Sequence, residues 1–302
     1  MALLGFWGIG NGQVPEVCTV SDTPTIFDDQ DDGLPVYAPW GMFPPTNDTI
    51  FHSIPDQASI AETVTVGWWG RYTNTDAVLG VPYGIQQPGT NNWIHVQLQG
   101  DINRIVIASA TSRLGSAVTT FGDLTAPDSL VLDDWNFYEL EVKFHETQGV
   151  VRLRINGITP TGWSDSVNVD TIADADSSNL GADFWQSNGA TWFGITSGVY
   201  AIDSSGAENN TFLGVCRFPY LTVDGDVESD WVGSDGNSVD NYLLIDESPA
   251  ARADMVDYVE SSTVTDRQVC DAASFTGLGL SGGGVVAVRS VGWTVDPLAG
   301  SQ

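Results

Sequence analysis

Apolar and charged positions alternate most regularly between Asp134 and Ile158. Tyr138, Leu140, Val142 and Phe144 are interleaved with Glu139, Glu141 and Lys143. After a short polar stretch, Val151, Leu153 and Ile155 are interleaved with Arg152 and Arg154. Side chains on a strand point to opposite faces with period two, so this stretch predicts a β-hairpin with one apolar and one charged face. The apolar faces align if Phe144 sits near Val151 and Leu140 near Ile155, a register that sets Glu141 opposite Arg154. Asn156-Gly157 is a turn dipeptide that ends the second strand.

The same period recurs along the chain. In residues 63–72, Val64, Val66 and Trp68 share one face and Thr65, Trp69 and Arg71 the other, so the adjacent tryptophans point in opposite directions. Residues 78–85, 93–99 and 102–108 follow at the spacing of a meander, with Gly100-Asp101 as a tight turn. Residues 117–121 and 129–132 are weaker candidates, and 167–172 and 190–202 add strands. The first 62 residues are rich in Gly, Pro and Asp. Residues 14–20 and 25–27 read there as edge strands, and the stretch from Trp40 as a loop packed by its aromatics. Residues 214–221, 241–245, 263–270 and 285–291 read as further strands, and 250–258 as one short helix at most. No segment sustains a 3.6 period, so the expected architecture is all-β with two packed sheets. The pattern pauses at Asp203-Ser-Ser-Gly-Ala-Glu-Asn-Asn-Thr. The expected division is therefore a sandwich over 1–205, its N-terminal 62 residues loop-rich, and a smaller β region over 206–302.

Two features resemble known families. Trp135-x-x-Tyr138-Glu-Leu, a turn, then Val151-x-Leu-x-Ile-Asn-Gly157 resembles the hairpin of the laminin-G/concanavalin-like jelly-roll sandwich. The later succession resembles tailed-bacteriophage virion proteins in which such a domain precedes a second β region. It comprises Asp203-x-x-Gly-Ala-x-Asn-Asn-x-Phe-Leu-Gly214, Asp224-Gly-Asp226, Asp230-Trp231, Asn241-Tyr242, Asp257-Tyr258 and Val286-Ala-Val-Arg289. This second resemblance implies a virion location, assembly in a host cytoplasm, and other virion proteins as partners. Related chains continue beyond the strand at 285–291, whereas this one ends at Gln302. The expectation is that Val285, Val286, Val288 and Trp293, on an apolar and nearly uncharged strand, pack against another chain, a trimer being the expected homo-oligomer.

Charge narrows the partners. The chain has 302 residues, 39 acidic against 10 basic, for a formal net charge of −29, and Lys143 is its one lysine. Nucleic acid and anionic membranes need clustered cations, and none exist here. The N-terminal Met-Ala-Leu-Leu-Gly-Phe-Trp lacks the positive stretch of a secretory signal. Cys18, Cys216 and Cys270 are widely spaced, without a zinc-ligand pattern. They read as buried free thiols, with a Cys216–Cys270 bridge as the alternative.

Candidate chemistry is sparse. Glycosidases on this sandwich carry three acids along one strand. Glu139 and Glu141 begin such a series, but Lys143 and Phe144 stand where the third acid belongs, so both glutamates read as solvated strand charges and no enzyme is expected. His52, His95 and His145 lie apart from any nucleophile pattern, and Gly-x-Ser-x-Gly is absent. The acidic loop holding Asp28, Asp29, Asp31 and Asp32 is a candidate Ca²⁺ ligand set. It is not an EF-hand, because the twelfth loop position falls on Pro39. Trp69, Trp163, Trp185 and Trp192 are candidate platforms for sugar rings among 11 tryptophans. The expected function is a non-enzymatic virion protein on a tail or capsid surface that contributes to glycan adhesion. A carbohydrate-binding module is the alternative, and a glycoside hydrolase comes after it.

Overall fold

A computed structural model of the chain describes residues 2–7, 18–20, 25–28, 40–43, 50–53, 63–74, 80–87, 92–99, 104–110, 117–125, 134–172, 183–184, 192–204, 210–217, 223–245, 258–263 and 265–272. In chain order the strands are β1 (Ala2–Trp7), β2 (Cys18–Val20), β3 (Thr25–Asp28), β4 (Trp40–Phe43) and β5 (Ile50–Ser53). There follow β6 (Val64–Asn74), β7 (Gly80–Gln86), β8 (Trp93–Gln99), β9 (Arg104–Ala110) and β10 (Ala117–Thr125). The central hairpin is β11 (Trp135–Lys143) and β12 (Gly149–Ile155), followed by β13 (Ser166–Val169), β14 (Asp183–Phe184) and β15 (Trp192–Asp203). The last are β16 (Val223–Ser229), β17 (Val232–Gly233), β18 (Val259–Glu260) and β19 (Gln268–Ala272), with a 3-10 helix at Asn241–Leu244.

An eight-stranded antiparallel sheet runs β13-β12-β11-β6-β15-β4-β3, with β1 also on β15. A four-stranded sheet runs β10-β9-β8-β7. One core joins them. Val64, Val66, Trp68, Leu140, Val142, Leu153 and Ile155 from the first sheet meet Ile94, Val96, Leu98, Ile105 and Ile107 from the second. The expected fold class, an all-β sandwich followed by a smaller β region, is the one observed. Trp68 and Trp69 do point apart: Trp68 stacks on Tyr138 in this core, while Trp69 meets Phe137 edge-on across the sheet.

The hairpin keeps its faces but not its register. Leu140 pairs with Leu153, Glu141 with Arg152 and Glu139 with Arg154, where Phe144–Val151 and Glu141–Arg154 were expected. The shift is by two residues, so no side chain changes face. Its cause lies in Thr171. Thr171 Oγ1 donates to the Lys143 carbonyl, His145 N donates to Thr171 Oγ1, and Thr171 N donates to the His145 carbonyl. Phe144 and His145 are thereby drawn off the ladder, and the turn closes at Lys143–Val150. At the other end Asn156 takes φ 54° and Gly157 φ 79°, and Asn156 Oδ1 accepts from Phe137 N, so the expected turn dipeptide seals the strand.

Other expectations need correction. Residues from Trp40 form strand β4 and not a loop, because β3 and β15 offer it partners. Residues 214–217 are not a strand: their backbone runs across the outer face of the large sheet. Asn241–Leu244 is a 3-10 turn because the Asn241 side chain is pulled inward. Asp266 N donates to the Thr263 carbonyl, and the strand begins only at Gln268. Cys216 and Cys270 are free thiols. Residues 129–132, 285–291 and nearly all of 250–258 lie outside the described residues.

Candidate functional site

Pairing stacks two cross-strand rows on the outer face of the large sheet. One runs Tyr200–Gly67–Glu139–Arg154, the other Ile202–Thr65–Glu141–Arg152. These glutamates were expected to be solvated. They are not: Glu139 is fully buried and Glu141 nearly so. Residues 210–217 cover them as a strap. Thr211 Oγ1 donates to Glu141 Oε2 at 2.9 Å, and Gly214 N to Glu139 Oε1 at 2.9 Å. Leu213 N donates to Tyr200 Oη at 3.3 Å, and Trp69 Nε1 to the Cys216 carbonyl at 2.9 Å.

Each carboxylate is compensated differently. Glu141 Oε1 accepts from Arg152 at 2.6 Å, and its Oε2 also accepts from Thr65 Oγ1. Glu139 Oε1 accepts from Tyr200 Oη at 2.5 Å, and among the described residues no donor reaches its Oε2. Burial raises the Glu139 carboxyl above its ordinary value, against the opposing pull of Tyr200, Gly214 N and Arg154. Burial and the Glu139 charge push the Cys216 thiol up to about 12, so it is no nucleophile at neutral pH.

A folded-state value above the unfolded one fixes the sign. The Glu139 contribution is fully present below the unfolded carboxyl range and is lost as pH rises through the raised folded value. Glu139→Gln should therefore flatten the stability fall on that alkaline side. Thermal melts of both chains from about pH 4 to about pH 8 check it; an unchanged slope refutes it.

A second feature lies at the open edge of the sandwich, between β10 and β13. It is a groove of ≈ 350 Å³ lined by residues that include Asn92, Thr119, Thr120, Phe121, Asp170 and Ile172. Ser166 Oγ donates to the Phe121 carbonyl and joins its two walls. Thr119 and Thr120 are exposed and Phe121 is half-buried against the core. Asp170 is exposed, and among the described residues it accepts one bond, from Ile172 N in its own turn, which leaves lone pairs on the carboxylate.

The residues singled out from sequence do not assemble into this groove. Trp69 and Trp163 are each 8% exposed. Trp69 is fixed by Phe137 and the strap, and Trp163 fills the space over Gly122, so neither offers a face to a sugar. Trp192 pairs with Asn74 in β15, and Trp185 lies outside the described residues. Asp28 pairs with Trp40 at the end of β3; Asp29, Asp31 and Asp32 lie outside the described residues, as do Val285, Val286, Val288 and Trp293. His95 is buried, and desolvation lowers its imidazole to about 4, so it stays neutral. His145 Nδ1 accepts from Thr147 N and Gln148 N and serves its turn. Sequence reasoning missed the groove, although the run Thr119-Thr120-Phe121 on a weak strand was its one local signal.

No protein-family model and no curated protein matches the sequence. Among solved structures, the carbohydrate recognition domain of Emp46p in its metal-free form is similar in fold at 9% identity and TM-score 0.41, covering 64% of this chain and 94% of that one. A lectin from Bauhinia forficata in complex with GalNAc is similar at 9% identity and TM-score 0.40, covering 66% and 98%. The CBM2 module of the evolved Dit of Lactobacillus casei BL23 phage J-1 is similar at 13% identity and TM-score 0.38, covering 64% and 92%. These similarities assign no site to this chain.

Proposed function

We propose that the sandwich is a non-catalytic glycan-binding module carried on a phage virion, assembled there with other virion proteins as a homo-oligomer. The observation that carries the glycan reading is the groove between β10 and β13. Its volume is at the small end of ligand sites, and it combines apolar surface on Phe121, Val118 and Ile172 with the Thr119 and Thr120 hydroxyls and the Asp170 carboxylate. Sugar rings present an apolar face and a rim of hydroxyls, which such a lining complements. The non-catalytic reading is supported by the strap. A glycosidase needs two carboxyl groups open to the scissile bond, and Glu139 and Glu141 are sealed and bonded beneath residues 211–214. The virion setting is supported by the resemblance of residues 203–214 and the succession that follows them.

Two measurements test it. On a glycan array the purified chain should retain at least one neutral glycan, and Asp170→Ala and Thr120→Val should each weaken retention about tenfold, roughly one hydrogen bond's worth. Neither exposed substitution should move the melting temperature by more than a degree or two. Retention that both variants leave unchanged removes the groove from the reading. Antibody against the chain should co-sediment with intact particles; its absence from them removes the virion setting.

A further inference from the structure

The groove between β10 and β13 holds one uncompensated charge. Asp170 is the one charged residue of its lining among the described residues. The arginines of the neighbouring strands are engaged elsewhere. Arg104 is paired with Asp123, Arg152 with Glu141 and Asp165, and Arg154 with Asp165. Lys143, the one lysine of the chain, follows Glu139 and Glu141 on the outer face of β11, because successive side chains alternate. His145 lies beside Thr171, and its Nδ1 accepts from Thr147 N and Gln148 N.

The carboxylate is also held in place. The next residue, Thr171, is 2% exposed and pinned from two sides. Its Oγ1 donates to the Lys143 carbonyl at 2.7 Å and accepts from His145 N at 2.8 Å. Its carbonyl accepts from Asn92 Nδ2 at 3.0 Å, and Asn92 is itself 5% exposed and bonded to Gln87 Oε1. On the other side Asn168 takes φ 56°, beside an irregularity that shifts the β12–β13 register between Gly149 and Val150. Between these points Asp170 Oδ1 accepts from Ile172 N at 3.1 Å, and among the described residues no donor is bonded to Oδ2. A charge oriented in advance costs little to order when a ligand meets it.

We propose that the groove selects amino sugars whose nitrogen is unacetylated and charged, with Asp170 as the residue that sets this selectivity. The inference rests on the reading of the groove as the glycan site. An ammonium group in place of a sugar hydroxyl supplies three donors and a positive charge, and the Asp170 carboxylate is its complement. A neutral sugar keeps the hydrogen bond and lacks the charge. A uronic acid brings a second carboxylate toward the first and is repelled. Asp170 is exposed, so water screens the pair, and the gain over a neutral sugar is at most about fivefold in affinity. The penalty for the acid is of similar size. The net charge of −29 adds a diffuse attraction for any cation, which salt removes and which does not depend on Asp170 in particular.

The test titrates the full chain by calorimetry with short oligomers of glucosamine, glucose and glucuronic acid, and with their galacto counterparts, in about 0.05 M NaCl. In the series that binds, the amine should bind about threefold to fivefold tighter than the neutral sugar, and the acid weaker by a similar factor. Asp170→Asn should bring the three within about twofold of one another. Glu260→Gln removes an exposed acid from the smaller β region and should keep the full spread, which separates local pairing from diffuse attraction. Thr120→Val should weaken all three sugars alike and keep their order. Circular dichroism establishes that each variant is folded. Sugars that bind without this order, or an order that survives Asp170→Asn, overturn the selectivity and leave the groove a glycan site. Loss of all three sugars in folded Asp170→Asn makes Asp170 an anchor and not a selector, and overturns it too. If a glycan array retains a neutral glycan while none of these sugars binds, the selectivity alone fails; if nothing is retained, the glycan reading falls with it.

Discussion

Leu153→Asp should strip the sandwich of much of its stability, costing roughly 3 kcal/mol or more and lowering the melting temperature by about 6–12 °C. Leu153 is fully buried, pairs with Leu140 across the hairpin, and lies in the core that joins the two sheets. A carboxylate there would face Leu140 and the apolar side chains of the opposite sheet, with no cation in the core among the described residues. The nearest arginines, Arg152 and Arg154, stand on the other face of β12, because successive side chains alternate. Leu153→Ala separates the two contributions: it loses the contacts without adding a charge and should cost about 2–5 kcal/mol. Chemical denaturation of the three chains checks both values. A fall of less than about 1 kcal/mol for Leu153→Asp would mean that this face of β12 is not core.

Gly67→Ala should be nearly as severe, for a reason found on the other face. Tyr200 reaches Glu139 by lying flat across Gly67, and a Cβ at that position would sit 2.2 Å from Tyr200 Cε1. The ring must move, and Glu139 then loses its hydroxyl donor while it stays buried. Removing one partner of a buried charge costs about 3–5 kcal/mol. The explanation predicts strong coupling: in a Tyr200→Ala background the glycine substitution should cost little, since no ring remains to collide. A double-mutant cycle measures this directly. Additive costs in the cycle would show that Gly67 matters for its backbone alone.

The sequence made one side of the molecule legible and left the other obscure. Alternation in 138–144 and 151–155 identified the core face and the Asn156-Gly157 turn, because side-chain period and turn chemistry are local properties. Alternation also identified a charged face, but it carries no information on what lies over that face. The cover is a strap about 70 residues farther along, whose sequence reads as the end of a polar pause at Thr211 and, from Gly214, as a strand. The hairpin register was misplaced because a distant threonine, Thr171, captures the turn. The groove is built from β10 and β13, held together by a bond spanning 45 residues, and neither strand is strongly patterned. Trp69 and Trp163 illustrate the same limit. An indole is equally suited to a core and to a sugar platform, and only the neighbours Phe137 and Gly122 decide between them.

The strap also sets how force enters the sandwich. Tension applied through the smaller β region reaches Cys216 and Gly214 before it reaches the end of β15. Where the pull lifts the strap off the sheet, the bonds at Trp69, Glu139, Tyr200 and Glu141 open one after another, as in a zip and not as a lap joint. A zip yields at low force and leaves what lies beneath intact: β15 stays clamped between β6 and β1. Stretching a single molecule would release a short length of slack at low load, well before the sheets themselves gave way, and would make the strap a mechanical fuse between the two parts of the chain.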